Sequence, residues 1–467
     1  MAVSRLLRFL QPPTSAKTHA VINGYDIAWG ALVGASAPVW LLVPKARRKV
    51  LRALSERMGR GVSRDVSAGP AVMVHAVSLG EIDATRALVQ QLAHARPGLR
   101  FVISTTTDTG SARARELYGT DPKVTLIRYP LDFSAAIARV LDGLRPDLVV
   151  LMELEVWPNF LRHSERRNIP VVLVNGRLTE SSYRNYRRGK PLVAPMFRRL
   201  AAVCAQDETY AKWFVDLGAP PTRVRVTGTM KFDTAPPPGD VAGAAELAAA
   251  VGLPPGAGPV WVCGSTGPGE EEQVLAAYAG LRGRFPGLRL VVVPRHPERF
   301  DEVADLVRRK GLALVRRSAP SSPAAGATSG ATSDPPVILG DTTGELTKFY
   351  SLADVVFVGR TLLDLGPRQR GSNMIEPAAL AKPVVVGPWT QNFTDAMRHF
   401  RAAGAIKVVE DGPALERALA DVLAAPAEST AMGRRAQEVV RHQQGATARN
   451  VAVILGHLAP RPPLSAP

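Results

Sequence analysis

From residue 70 onward the chain alternates short apolar runs, rich in Val, with stretches in which apolar positions recur every three or four residues. The runs at 71–75, 101–105, 147–152, 171–175 and 201–205 are too uniformly apolar for strands with one wet face. They predict a parallel sheet covered by helices on both sides, one of them over 81–95. A segment rich in Pro, Gly and Ala at 235–258 interrupts the series and predicts an interdomain linker carrying one short helix. The pattern restarts at 260–263, 288–293, 313–315, 337–339, 355–358 and 384–386. Two such series predict an α/β protein with two Rossmann-like, doubly wound domains, over 61–234 and 259–458. Ligands are expected at the carboxyl ends of the strands, in the cleft between the domains. The low-complexity segment 318–336 predicts a flexible insertion, and 459–467 a disordered tail.

The N-terminus breaks this pattern. Residues 27–44 carry no charge, then 45–60 hold seven Lys and Arg against one Glu. Eighteen uncharged positions are at the short edge of the roughly 20 that span a bilayer, and Pro38 sits among them. A secretory signal fits poorly, because the apolar run starts late and a basic segment follows it. Residues 1–60 are expected to be a membrane anchor and basic segment facing the cytoplasm, either spanning the bilayer or lying in its interface.

Composition narrows the classes. The 467 residues are 46% hydrophobic and 21% charged, enough to build packed cores and too apolar for a disordered chain. The 58 Lys and Arg exceed the 41 Asp and Glu by 17, which implies polyanionic surroundings. Cys204 and Cys263 are the only cysteines, which excludes a disulfide framework and a multi-cysteine zinc site and suits a reducing compartment.

The residues able to do chemistry follow the predicted strands. His75-Ala-Val-Ser78-Leu-Gly80-Glu81 leads from a strand into a helix. Gly80 allows close approach, and Glu81 is either a functional carboxylate or a helix-start acid favoured by the dipole. Glu153 and Glu155, beside Trp157, suit hydroxyl recognition or a tuned base, or form a solvated pair. Arg177 and the run Arg184, Arg187, Arg188 and Lys190 form either a phosphate-facing surface or a solvated helix. In the second half, Ser265 and Thr266 open a glycine-rich turn without the Lys of a P-loop. Arg295 and His296, Gly344 and Glu345, and Asn373 and Glu376 also follow strands or open helices, with Glu376 placed to take two ribose hydroxyls. Each of these, taken alone, also reads as an ordinary loop or cap. The carboxylates Glu81, Glu153 and Glu155 weaken any polyanion-binding face, so nucleic acid is not an expected partner.

In order along the chain, HAVSLGE, MELEVWPNF, NGRL, TGTMKFD, GSTGPGEEE, PRHPERF, LGDTTGEL and GSNMIEPAALAKPVVVGPWTQNF resemble the 3-deoxy-D-manno-octulosonic acid (Kdo) transferases of lipopolysaccharide assembly. The resemblance runs from about residue 25 to 455. It implies a GT-B glycosyltransferase fold. It implies transfer of Kdo from CMP-Kdo to the lipid A precursor, lipid IVA, at the cytoplasmic face of the inner membrane. It further implies inversion at the anomeric centre without metal or other cofactor. Carried over, Glu81 is the general base. Ser78, Gly80, Glu153, Glu155 and Arg177 face the acceptor. Ser265, Thr266, Arg295, His296, Gly344, Glu345, Asn373 and Glu376 hold the nucleotide. Two positions depart from the pattern: Gly267 and Ser372 stand where the family usually has His. Two other readings share some of these features: another GT-B nucleotide-sugar enzyme, and a non-catalytic, membrane-tethered polyanion-binding protein.

Overall fold

The computed structural model describes residues 22–43, 54–62, 69–319 and 335–458, apart from 238, 255, 257, 367 and 368. Most of the insertion at 318–336, the tail 459–467 and residues 44–53 of the basic segment lie outside them. The chain forms two compact units. The first joins residues 1–234 to 444–467, and the second is 235–443.

Unit 1 holds seven strands: β1 Ala71–Ala76, β2 Arg100–Thr105, β3 Val124–Arg128, β4 Leu148–Met152, β5 Val171–Gly176, β6 Ala202–Ala205 and β7 Val224–Val226. They form one parallel sheet in the order β3-β2-β1-β4-β5-β6-β7. Side chains alternate across a strand, so each strand feeds two cores. Val72, Val74 and Ala76 of β1 pack into one and Met73 into the other, and all are buried. The order reverses between β1 and β4, where an open α/β sheet leaves a crevice at its carboxyl edge.

The boundary expected at 458 differs in the structure. The helix Ala446–His457 belongs to unit 1, because Ala446, Val451, Val453, Ile454 and Leu458 complete the core on the Val72 face. Asp233 fixes its start, taking N–H donors from Gly445 (2.6 Å) and Thr447.

The expected anchor forms a helix, α1 (Gly24–Leu42), that starts earlier than the uncharged run because Asn23 and Asp26 make a capping box. No helix among the described residues is long and apolar enough to cross a membrane. A buried polar knot ties α1 to unit 1. Asp26 accepts from Ser134 N (2.8 Å), Ser134 Oγ (2.7 Å) and Asn159 Nδ2 (2.9 Å), and Asn23 Nδ2 donates to Asn159 Oδ1 (2.8 Å). Asp132 accepts from Asn159 N and Phe160 N, and burial pushes its carboxyl up to about 6. Trp29 and Val33 rest on Met58, Phe133 and Ala136. The opposite side leaves Ile27 66% and Leu32 58% exposed.

Unit 2 repeats the plan with β8 Val260–Thr266, β9 Arg289–Pro294, β10 Leu314–Arg316, β11 Val337–Leu339, β12 Val355–Val358, β13 Val384–Val386 and β14 Lys407–Val408. Its parallel sheet runs β10-β11-β9-β8-β12-β13-β14. Here the order reverses between β8 and β12.

Candidate active site

In unit 1 the loop after β1 enters α2 (Leu79–Ala95) through a capping box. Ser78 Oγ accepts the Glu81 N–H (3.3 Å), and Glu81 Oε1 accepts from Ser78 Oγ (2.8 Å). Its Oε2 accepts from Val77 N (2.9 Å). Glu81 is therefore a helix-start acid, and it also faces a charged neighbour. Burial, then the Glu153 carboxylate, push its pKa up, and Glu155 adds to the effect. Gly80 is exposed and a Cβ there would meet nothing, so the space above the helix start is open.

The loop after β4 supplies the facing carboxylates. Glu153 sits at φ +58°, a left-handed conformation disfavoured for side-chain-bearing residues. Its own N–H is held by Val174 O (3.0 Å), and Arg177 Nε donates to its Oε2 (2.7 Å). Glu155 takes the Trp157 indole N–H at 3.1 Å. Beneath them lies His75, fully buried and stacked on Tyr129 with ring centroids 3.8 Å apart. Its Nδ1 is 3.1 Å from the Ser104 carbonyl, which only accepts, so Nδ1 carries the proton and Nε2 faces Glu155 at 3.8 Å. The structure thus brings Ser78, Glu81, Glu153, Glu155 and Arg177 to one sheet edge. The basic run beyond is largely compensated. Arg184 pairs with Glu180, and Arg187 and Lys190 pair with Asp216.

In unit 2 the loops after β8 and β12 are locked together by a residue that the motif reading passed over. Glu270 opens α3 (Glu270–Arg282) and is fully buried. Its Oε2 accepts from Gly267 N (2.8 Å) and Arg360 N (2.6 Å), and its Oε1 from Thr361 N (2.9 Å) and Leu362 N (2.8 Å). Burial raises its pKa while the four donors pull it back. The next residue, Glu271, takes both ends of Arg299 at 2.6 and 3.1 Å. These bonds use the loop's own N–H groups, so the glycine-rich turn presents fewer free backbone donors than its sequence implies.

Around this lock, Ser265 sits at φ +57° and accepts a hydrogen bond from Ser372 Oγ at its carbonyl (3.4 Å). Thr266 Oγ1 and Tyr350 Oη are buried without a partner. Glu376 accepts from Asn373 Nδ2 (2.9 Å) and Thr347 Oγ1 (3.4 Å). Burial raises its pKa, and Arg295 is near enough to lower it. Arg295 is exposed, and His296 is half-exposed, with Nδ1 3.8 Å from Glu298. Gly344 adopts φ +84° and leads into Glu345. Burial would raise the Glu345 pKa, but the Thr342 hydroxyl (2.6 Å) and Arg317 (3.2 Å) hold it below the ordinary value. Glu345 is thus committed to its own ion pairs, while Arg295 and Glu376 share one neighbourhood with the strained Ser265 loop.

A family profile described as 3-Deoxy-D-manno-octulosonic-acid transferase (kdotransferase) matches residues 52–234. The 3-deoxy-D-manno-octulosonic acid transferase of Bordetella pertussis is 37% identical over 85% of this chain and 89% of that protein. The Haemophilus influenzae transferase of the same name is 32% identical over 87% of this chain and 91% of that protein. The chain belongs to the Kdo transferase family. Membership makes it a glycosyltransferase of lipopolysaccharide biosynthesis that moves Kdo. Among solved structures, the UDP-GlcNAc 2-epimerase of Neisseria meningitidis, 13% identical, aligns over 83% of this chain and 99% of that one with a TM-score of 0.54. That likeness concerns fold alone, and together with the two parallel-sheet units it gives this Kdo transferase the GT-B fold.

Proposed function

We propose that this Kdo transferase takes Kdo from CMP-Kdo and delivers it to a hydroxyl of the lipid A precursor, working at the cytoplasmic face of the inner membrane. The observation that carries the reading is Glu81, a carboxylate at the crevice edge of unit 1 whose pKa is raised by burial and by Glu153 beneath an open space at Gly80. A raised pKa makes a carboxylate a stronger base toward an acceptor alcohol. The acceptor hydroxyl gives its proton to Glu81 as its oxygen bonds to the anomeric carbon. The bond from that carbon to the phosphate oxygen breaks, and CMP leaves with the electron pair. A single displacement of this kind inverts the anomeric centre. Arg177, held by Glu153, and the Ser78 and Glu155 side chains at the same edge orient the acceptor. Ser265, Thr266, Arg295, His296, Asn373 and Glu376 hold the nucleotide, with Gly344 and Glu345 at the rim.

The outward apolar side of α1 supports membrane attachment, with Ile27 and Leu32 exposed while Asn23 and Asp26 secure the inner side. A surplus of 17 positive charges suits a diphosphorylated lipid and an anionic bilayer.

The test is transfer itself. Protein in detergent, tetraacyl lipid A precursor and freshly made CMP-Kdo should give a product heavier by whole Kdo units, and NMR of that product should show inverted anomeric configuration. Glu81→Gln should lower turnover about 10²–10⁴-fold, the usual contribution of a general base, with CMP affinity unchanged. Near-native turnover by that variant would remove Glu81 from the role.

A further inference from the structure

One cation in unit 2 has no task in the reading above. Arg360 directly follows the β12 edge at φ +59°. Its backbone is pinned on both sides: its N–H goes to Glu270 Oε2 (2.6 Å) and its carbonyl accepts from Gly371 N (2.7 Å). Nothing local demands an arginine in a conformation that glycine adopts most easily. The pinned backbone sends the side chain across Gly267. A Cβ added at Gly267 would lie 2.4 Å from Leu365 Cδ1 and 3.0 Å from Arg360 Cγ, so the missing side chain at 267 leaves room that Leu365 and Arg360 share.

The guanidinium lies in an unbalanced field. Its Nε is buried with no hydrogen-bond partner. Burial lowers its pKa first, and the positive charge of Arg295 lowers it further. Glu270 is the nearby carboxylate, but its oxygens already accept four N–H groups. Arg295 N donates to Thr266 O (3.0 Å), and Gly359, just before Arg360, donates to Gly264 O (2.8 Å), so both arginines leave the backbone beside the Ser265 loop and the orphaned Thr266 hydroxyl, with Arg360 half-buried. A half-buried guanidinium with an unpartnered Nε and a second cation beside it favours an anion in contact with it.

The donor's chemistry offers two anions. In a glycosyl phosphate of a 2-ulosonic acid, the carboxylate and the phosphate oxygen are bonded to the same carbon, so two negative groups arrive side by side. An aldose donor has no such carboxylate. We propose that Arg295 and Arg360 divide these anions, Arg295 on the phosphate and Arg360 on the sugar carboxylate, making Arg360 the residue that selects an acidic keto-sugar over a neutral one. The planar fork of an arginine matches a carboxylate in two parallel hydrogen bonds. Arg295 has its N–H on Thr266 O (3.0 Å) and its charge acts on Glu376, both proposed nucleotide residues, which leaves Arg360 for the sugar side.

The inference rests on CMP-Kdo being the donor, and the experiment separates the two. CMP affinity is measured by calorimetry and CMP-Kdo KM by transfer, for wild type, Arg360→Gln and Arg360→Gly. Glycine suits the positive φ, so the second variant keeps the fold and removes only the side chain. Both variants are expected to raise KM for CMP-Kdo at least tenfold, the order of a lost charge-assisted pair, with CMP affinity within about twofold of wild type, well inside that effect. An unchanged KM overturns the assignment. An equal loss of CMP affinity overturns it too, by placing Arg360 on the phosphate. Failure of wild type to bind CMP or use CMP-Kdo brings down the donor reading, and this assignment with it.

Discussion

Glu270→Gln is the sharpest test of how unit 2 holds its ligand loops. The substitution keeps size and shape and changes two acceptor oxygens into one oxygen and one NH2. The wild-type carboxylate accepts four N–H groups, two on each oxygen. The amide can satisfy one pair and must face the other with its own donors. Two buried N–H groups then lose their partners, each worth about 1–3 kcal/mol. The expected loss is about 2–6 kcal/mol, which for a unit of this size lowers the midpoint by about 4–24 °C. Calorimetry of the full chain reads the shift, and far-ultraviolet circular dichroism confirms that the variant is folded below it. CMP binding should weaken in parallel, because Gly267, next to Ser265 and Thr266, loses its anchor. A variant that melts within about 1 °C of wild type would refute the reasoning, since even one unpaired buried donor should exceed that.

Two further outcomes follow from the structure. In the proposed mechanism Glu81 must be ionised to accept a proton, so activity should fall as pH drops through its raised pKa. Glu153→Gln removes the charge that helps raise it and frees Arg177 beside it, so the acid limb of the kcat/KM profile should move to lower pH, and a limb that stays or moves to higher pH rejects the link. Ile27→Asp combined with Leu32→Asp changes only the outward side of α1. Sedimentation with anionic vesicles should show lost binding while the melting temperature holds, and unchanged binding would take α1 off the membrane.

Much of this was legible in the chain. Strands buried on both faces, such as β1, β4 and β12, announce themselves as unbroken apolar runs. Strands β3, β7 and β14 gave no such signal because they close the sheets at their edges, where VTLIR, VRV and KV keep polar or exposed positions. That Glu81, Glu153 and Glu155 gather at one sheet edge could be read because carboxylates at strand ends stand out against apolar neighbours. Glu270 could not, since three consecutive glutamates open its helix and nothing local says that the first is fully buried while Glu272 is not. Arg360 was hidden for a related reason. Its meaning depends on the empty place at Gly267, ninety-three positions earlier.

The return of the last helix to unit 1 also sets an order of events during synthesis. Residues 235–443 are contiguous and lie inside a unit whose two parts flank them in the chain. As the polypeptide leaves the ribosome, unit 2 has all its residues while unit 1 still lacks Ala446, Val451, Val453, Ile454 and Leu458, and the core on the Val72 side of its sheet stays incomplete, with Ile82, Leu88 and Leu92 in place but that last helix missing. The first-made half of the protein is thus the last to be sealed, and a nascent chain stopped before residue 446 presents a finished unit 2 attached to a partly open apolar face, the form that chaperones and proteases recognise.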